Sequence, residues 1–344
     1  MKFIESVFQK LKRHPKRIVF PEGTEPRILQ AAEQFVKLQL GPAIVLGKKE
    51  EVEKVALREN IDLGHIHIID PETSSDLPLF CERLEKLKRY HNLGPSDART
   101  TLIKPNYFAA MMIQYNQADG LVGGTSTTAG TLLRPLIQLV KPLPNVKTIS
   151  SCMIVEVADE TLGEHGVLLL ADCAVIPEPT VEQLANIAVQ TGKIARQLKV
   201  IPPRIAMLSF STKGSAKSPA VERIAAATAL AKQKAKDEGI DMQIDGELQA
   251  DTALLAELAA IKAPDSTVAG KANVLIFPDL NSGNIAAKLI QHVAKAESYG
   301  QILLGLSRPC ADMSRGATVK DILGVAAIVG VQAIEYRRLY PEQG

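Results

Sequence analysis

Tryptophan is absent from this chain of 344 residues and aromatics make up only 4%. That removes the stacking platforms on which single-stranded nucleic acids are usually held. Neither sign of charge dominates: 40 Lys and Arg against 38 Asp and Glu leave a net +2. With both signs spread along the chain, there is no electrostatic footprint for nucleic acid or for an acidic membrane surface. Cysteine is scarce, and Cys81, Cys152, Cys173 and Cys310 stand far apart with no CxxC or Cys/His spacing. Neither a structural zinc site nor a disulfide framework is indicated. No apolar run approaches the length of about 18 uncharged residues that a membrane span needs. The opening MKFIESVFQKLKRHPK is amphipathic and has no apolar core segment, so it does not read as a secretory signal. A soluble, cytoplasmic protein is expected.

Hydrophobic residues are abundant, at 46%, and the length suggests about two domains. Short β-rich runs alternate with helical spacing from the start. Arg17–Phe20 leads into the turn Pro21-Glu22-Gly23, and Ile28, Leu29, Ala32, Phe35 and Val36 then recur as on one helix face. The alternation continues through Pro42–Leu46, a charged helix, and His65–Asp70, which is the rhythm of a parallel sheet wrapped by helices. His65 and His67 lack a third ligand nearby and read as an ordinary strand end. Leu77–His91 reads as a helix, and Pro95–Gln117 as a second helical stretch broken near Pro105. Pro142–Asn145 is the candidate domain boundary. Beyond it, Ser150–Val157 and Gly166–Val175 suggest an antiparallel hairpin, after which the alternation resumes.

Three loops concentrate chemistry. Gly305–Asp321 packs Arg308, Arg315, Ser307, Ser314, Cys310 and Asp312 between two apolar runs. Thr318 and Asp321 form a capping-box pattern, so this loop is expected to end at a helix N-terminus. The stretch GGTSTTAGTLLRP follows an apolar strand with two glycines, the hydroxyl run Thr125 to Thr128, Thr131 and Arg134. Glycine permits close backbone approach and hydroxyls donate to oxygens, so it resembles an anion cradle, although it is neither GxGxxG nor a Walker loop. STKGSAKSP, with Ser211, Thr212, Gly214 and Ser215, is a third hydroxyl- and glycine-rich turn. Asp245, Glu247 and Asp251 could hold Mg²⁺, but helix-cap roles fit their positions better.

At these residues the chain resembles a known family. KRIVFPEGTEPRILQAA, ADGLVGGTSTTAGTLLRP, IDGELQADTAL, VAGKANVLIFPDLNSGNIAAKL and SRG together look like the phosphate acetyltransferase (phosphate acetyl/butyryltransferase) family over nearly the whole chain. The resemblance implies reversible acetyl transfer between acetyl phosphate and coenzyme A, releasing or consuming phosphate. It implies two α/β domains with a cleft between them, similar to isocitrate/isopropylmalate dehydrogenases. The C-terminal segment would return to the first domain, giving 1–145 plus 297–344 and an inserted 146–296. A homodimer, no metal, and no cofactor beyond coenzyme A as substrate are also implied. By motif, the SRG serine and arginine are Ser314 and Arg315, and the general base, seven residues past the serine, is Asp321. Arg134 is the TLRP arginine, and a further substrate-side arginine falls on Lys88, beside Arg89. Thr128, Thr131, Ser211, Thr212, Gly214, Ser215 and Arg308 complete the expected substrate contacts. Lys88 lacks bidentate phosphate geometry, and the cysteine common after SRG is Ala317 here.

The implied chemistry is direct attack of the coenzyme A thiolate on the acetyl carbonyl, with Arg134 and Arg315 binding the phosphoryl group and Ser314 bonding the thiol or carbonyl. A thiol near pKa 8.5 and an ordinary aspartate near 3.9 stand about 4.6 units apart, roughly 6 kcal/mol uphill. That fits under the ~14 kcal/mol barrier of a turnover near 10²–10³ per second. A Cys310 acyl-enzyme is the competing mechanism. Propionyl or butyryl phosphate transfer, and a non-catalytic coenzyme A or acyl-phosphate-binding regulator, are the competing functions.

Overall fold

The computed structural model describes residues 3–87, 95–144 and 146–339. In chain order, α1 (Phe3–Arg13), β1 (Ile18–Phe20), α2 (Pro26–Lys37), β2 (Ala43–Leu46), α3 (Lys49–Glu59) and β3 (Ile66–Ile69) come first. Then follow α4 (Leu77–Lys86), α5 (Pro95–Leu102), α6 (Pro105–Gln114), β4 (Gly120–Gly123) and α7 (Ala129–Leu139). The middle comprises β5 (Ser150–Glu156), β6 (Val167–Ala171), α8 (Val181–Gln197), β7 (Arg204–Leu208) and α9 (Pro219–Asp237). After them stand β8 (Gln243–Leu248), α10 (Ala250–Leu254), α11 (Ala256–Lys262), β9 (Val274–Ile276) and α12 (Leu280–Val293). The last elements are β10 (Glu297–Leu304), β11 (Cys310–Asp312) and α13 (Val319–Leu339).

The chain forms two compact units, Met1–Pro144 with Leu306–Gly344, and Asn145–Gly305. In the first unit the strands run β3-β2-β1-β4-β11, all parallel. The interior strands β1, β2 and β4 are buried at every residue, the continuous apolar pattern of a sheet covered on both faces. β3 is partly exposed, as an edge strand is, and His67 lies on its exposed side. α13 packs on β4 and against α1 and α2. Its residues 322–333 are all buried, so it is apolar around its whole circumference rather than striped. Gly120 is required there, because a Cβ would lie 2.3 Å from a Val329 methyl.

The second unit orders its strands β10-β5-β6-β9-β7-β8. β5 and β6 form an antiparallel pair, the hairpin that the two apolar runs suggest, and β6, β9, β7 and β8 are parallel. β10 pairs antiparallel with β5. That ladder places Glu297–Gly305 in the second unit, not in the first as the sequence division at 297 has it. The helical stretch from Pro95 does break at Pro105, which takes the first position of α6, where its missing N–H costs nothing.

Candidate functional site

From β1 the chain moves through β2 to β3, whereas from β4 it moves the other way to β11. The order therefore reverses between β1 and β4, and open α/β sheets bind ligands beyond the carboxyl ends of their strands at such a switch point. Three segments lie at those ends: Pro21–Glu25 after β1, Gly124–Thr128 after β4, and Met313–Thr318 after β11.

The β11 loop carries Ser314 and Arg315, both exposed. Thr318 and Asp321 form the expected reciprocal box. The Thr318 N–H donates to Asp321 Oδ2 at 2.8 Å, and the Asp321 N–H donates to Thr318 Oγ1 at 3.2 Å. One oxygen of Asp321 is thus committed to opening α13, which leaves Oδ1 for chemistry. Ser314 Oγ accepts the Gly316 N–H at 3.3 Å.

In the β4 loop, Thr128 stands before α7, and its hydroxyl pairs with that of Thr131 at 2.9 Å rather than capping the helix. Both are exposed, as is Arg134 one turn further on. Neither the Arg134 nor the Arg315 guanidinium has a hydrogen-bond or ion-pair partner among the described residues. Each is an exposed, unengaged guanidinium near the start of a helix, and the start of α7 carries no side-chain cap, features that suit an anion.

The first half of the hydroxyl run is used otherwise. Glu22 Oε2 accepts the Thr125 N–H at 2.8 Å and its hydroxyl at 2.6 Å. Glu22 Oε1 accepts the Ser126 N–H at 2.9 Å, the Ser126 hydroxyl at 2.8 Å and the Thr127 hydroxyl at 3.2 Å. Thr125, Ser126 and Thr127 therefore point their donors at an internal carboxylate, not at a ligand. Burial alone would raise the Glu22 carboxyl, but these hydrogen bonds outweigh it and hold it below the usual range. Asp312, at the end of β11, is the opposite case. Burial, reinforced by the charge of Glu22, pushes it up to about 7, and its Oδ1 has no hydrogen-bond partner. Glycine is needed at 124 because φ is +99° and a Cβ would lie 2.2 Å from that oxygen.

Much of the Gly305–Asp321 stretch turns inward: Ser307, Arg308, Cys310 and Asp312 are all buried, and Cys310 and Asp312 belong to a strand rather than a loop. β11 pairs in parallel with β4, Cys310 opposite Leu121. Cys310 is fully buried and burial drives its thiol far above the usual range, so it is no nucleophile. Arg308, expected to contact substrate, is also buried. Its Nε donates to the Ile113 carbonyl at 3.1 Å, and its guanidinium lies 5.0 Å from the Tyr336 ring centre. Lys88 and Arg89 lie outside the described residues.

In the second unit, Ser211 and Thr212 are buried. Ser211 Oγ donates to Glu247 at 2.9 Å and accepts the Ala216 N–H at 3.1 Å, while Thr212 Oγ1 accepts the Gln249 N–H at 3.0 Å. These hydroxyls shape the turn and face inward rather than toward a substrate. Gly214, with φ +80°, and Ser215 remain exposed. Asp245 and Glu247 lie within β8 and are not helix caps. Burial would raise Asp245, but hydrogen bonds from Lys213, Ser266 and Lys232 prevail and hold it at about 2. Asp251 is engaged by Lys262 at 2.9 Å.

Sequence reasoning missed Glu22 and Arg27, whose side chains hold these loops. The signal available was the charged PEGTEPR turn directly after an apolar strand.

Residues 2–330 match the family described as Phosphate acetyl/butaryl transferase. A phosphate acetyltransferase of Thermoanaerobacterium thermosaccharolyticum is 44% identical over 97% of this chain and 100% of its own. A phosphotransacetylase structure from Streptococcus pyogenes aligns with a TM-score of 0.88 and 37% identity, over 97% of this chain and 98% of that one. At the level of fold alone, a putative 4-hydroxythreonine-4-phosphate dehydrogenase from Salmonella typhimurium aligns with a TM-score of 0.53 and 14% identity, over 93% and 99% of the two chains. The α/β architecture is thus of the dehydrogenase-like kind, and the chain belongs to the phosphate acetyl/butaryl transferase family.

Proposed function

We propose that this chain is a phosphate acetyltransferase that interconverts acetyl phosphate plus coenzyme A with acetyl-CoA plus phosphate by direct thiolate attack. The observation that carries the reading is the pair of exposed, unengaged arginines at the sheet's switch point, Arg315 on the loop after β11 and Arg134 in α7, which follows the β4 loop. A doubly anionic phosphoryl group suits two planar guanidiniums. The thiol proton passes to Asp321, and the sulfur attacks the acetyl carbonyl carbon. Ser314 and Arg315 stabilise the oxyanion that forms. Collapse breaks the bond from the acetyl carbon to the phosphate oxygen, which leaves as phosphate, and Asp321 returns its proton to the leaving group or to water. Thr128 and Thr131 supply further donors. Gly214 and Ser215 are the exposed candidates for coenzyme A on the second unit. Coenzyme A enters as a substrate, and every step uses side chains of this protein without a metal or cofactor.

The chain works in the cytoplasm as a homodimer. No described helix is long and apolar enough to cross a membrane. On α12, Ile285, Leu289 and Val293 are 58%, 55% and 76% exposed at spacings of four, one helix face, which suits burial against a second copy. Sedimentation at micromolar concentration tests the dimer. Thioester formation from coenzyme A with acetyl, propionyl and butyryl phosphate, without added metal, tests the activity. Fastest turnover with acetyl phosphate is expected. Coenzyme A binding without turnover would favour a regulator.

A further inference from the structure

The β1–α2 turn and the first turn of α2 hold no candidate nucleophile, acid or base of the reaction, yet one side chain from each, Glu22 and Arg27, holds the two loops beside the proposed phosphoryl-binding arginines. Arg27 Nη1 donates to the Arg315 carbonyl at 2.8 Å and to the Ala317 carbonyl at 2.8 Å. Its Nη2 donates to the Thr125 carbonyl at 3.1 Å. Its Nε is fixed by Glu25 at 2.8 Å. One guanidinium thus ties the backbone on both sides of Gly316 to the start of the hydroxyl loop. Glu22, five residues earlier, takes the backbone and hydroxyl donors of that same hydroxyl loop. The two residues work on opposite polarities: Arg27 gathers carbonyls and Glu22 gathers N–H and O–H groups. Neither needs a ligand to satisfy it, so the arrangement exists before substrate arrives.

We propose that Glu22 and Arg27 are positioning residues for acyl transfer, a brace in the switch-point crevice that sets Arg315 and the Thr128–Arg134 segment in register before substrate binds. The inference rests on the reading of Arg315 and Arg134 as the phosphoryl-binding pair. A planar fork is required at 27, because it reaches three carbonyls of two loops at once. An ammonium at the same place is a single point and cannot span them. A carboxylate is required at 22, because an amide there would turn its NH₂ against N–H and O–H donors.

The test is steady-state kinetics of acetyl-CoA formation by Arg27→Ala, Arg27→Lys and Glu22→Gln, with Arg315→Ala as the control. A misplacement near 1 Å is worth on the order of 100-fold, so Arg27→Ala is expected to lose about 30- to 100-fold in kcat/KM for acetyl phosphate while its Tm stays within a few degrees of the parent. Arg27 is partly exposed, at 31% of its side chain, so added guanidinium ion at millimolar concentration reaches the vacated position. It is expected to restore roughly tenfold of the loss, by re-forming hydrogen bonds of about 1.4 kcal/mol in sum. Ammonium is expected to restore none, and Arg27→Lys to fall between. A purely structural role would show no such ion selectivity. Glu22→Gln is expected to raise the KM for acetyl phosphate more than it lowers kcat.

Wild-type kcat/KM in folded Arg27→Ala overturns the proposal, as does a loss that guanidinium does not restore. If Arg315→Ala is inactive while Arg27→Ala is not impaired, the brace alone is wrong. If Arg315→Ala turns over like the parent, the site reading falls and the brace falls with it.

Discussion

Asp312→Asn is expected to change how stability depends on pH. Burial is the larger cause of the raised Asp312 carboxyl, at about 7 against an ordinary 3.8, and the neighbouring charge of Glu22 is the second. Between those two values the folded protein keeps a proton that the unfolded chain has released. Stability from this group therefore falls as pH rises, by about 1.4 kcal/mol per unit and roughly 4 kcal/mol in all. The penalty is absent below about pH 4 and complete by about pH 8. The missing partner at Oδ1 is the structural reason that the charged form is so poorly received. Asparagine keeps the shape and cannot ionise. Its own unsatisfied amide costs about 1–3 kcal/mol, but by the same amount at every pH. Urea unfolding of parent and variant, followed by far-UV circular dichroism from pH 5 to 8, isolates the effect, because every other carboxylate cancels in the difference. The variant is expected to gain about 3 kcal/mol on the parent between pH 5 and pH 8. A difference that stays flat across that range would refute the assignment.

Other substitutions separate chemistry from structure. Asp321→Asn is expected to lower kcat by about 10²- to 10⁴-fold, read from the pH–rate profile, and near-normal turnover would remove Asp321 from proton transfer. Asparagine keeps an oxygen for the Thr318 N–H but loses the negative charge at the start of α13, so the variant should also lose about 0.3–1 kcal/mol of stability. Thr318→Ala, which removes the acceptor of the Asp321 N–H, should lose about 1 kcal/mol with turnover largely kept. Cys310→Ala is expected to retain activity, since the thiol is buried, and a steady-state assay showing abolished turnover would revive a covalent intermediate. Gly124→Ala is expected to cost more than about 2 kcal/mol in urea unfolding, from positive φ and the clash with Asp312.

Much of this protein could be read locally. The alternation of apolar runs with helical spacing, the Pro105 break, the hairpin after Pro144 and the Thr318–Asp321 box all depend on residues within a few positions of one another. Short-range sterics and hydrogen bonding decide such features before any tertiary contact forms. The family resemblance added Ser314, Arg315, Arg134 and Asp321 from motifs of similar short span. Tertiary structure alone decided what the polar residues do. β11 is three residues long, too short for a period to show, so Cys310 looked like a loop residue until pairing with β4 took it into the sheet. Arg308 is buried through contacts with the Ile113 carbonyl and Tyr336 that no local pattern shows. The hydroxyls of Thr125 and Ser126 belong to Glu22 across 103 and 104 positions of sequence. Arg27 reaches the Arg315 carbonyl across 288. No spacing rule pairs groups that distant. The parallel order of β1, β4 and β11 brings their carboxyl ends side by side, and only then does a charged turn after the first strand become the frame of the site.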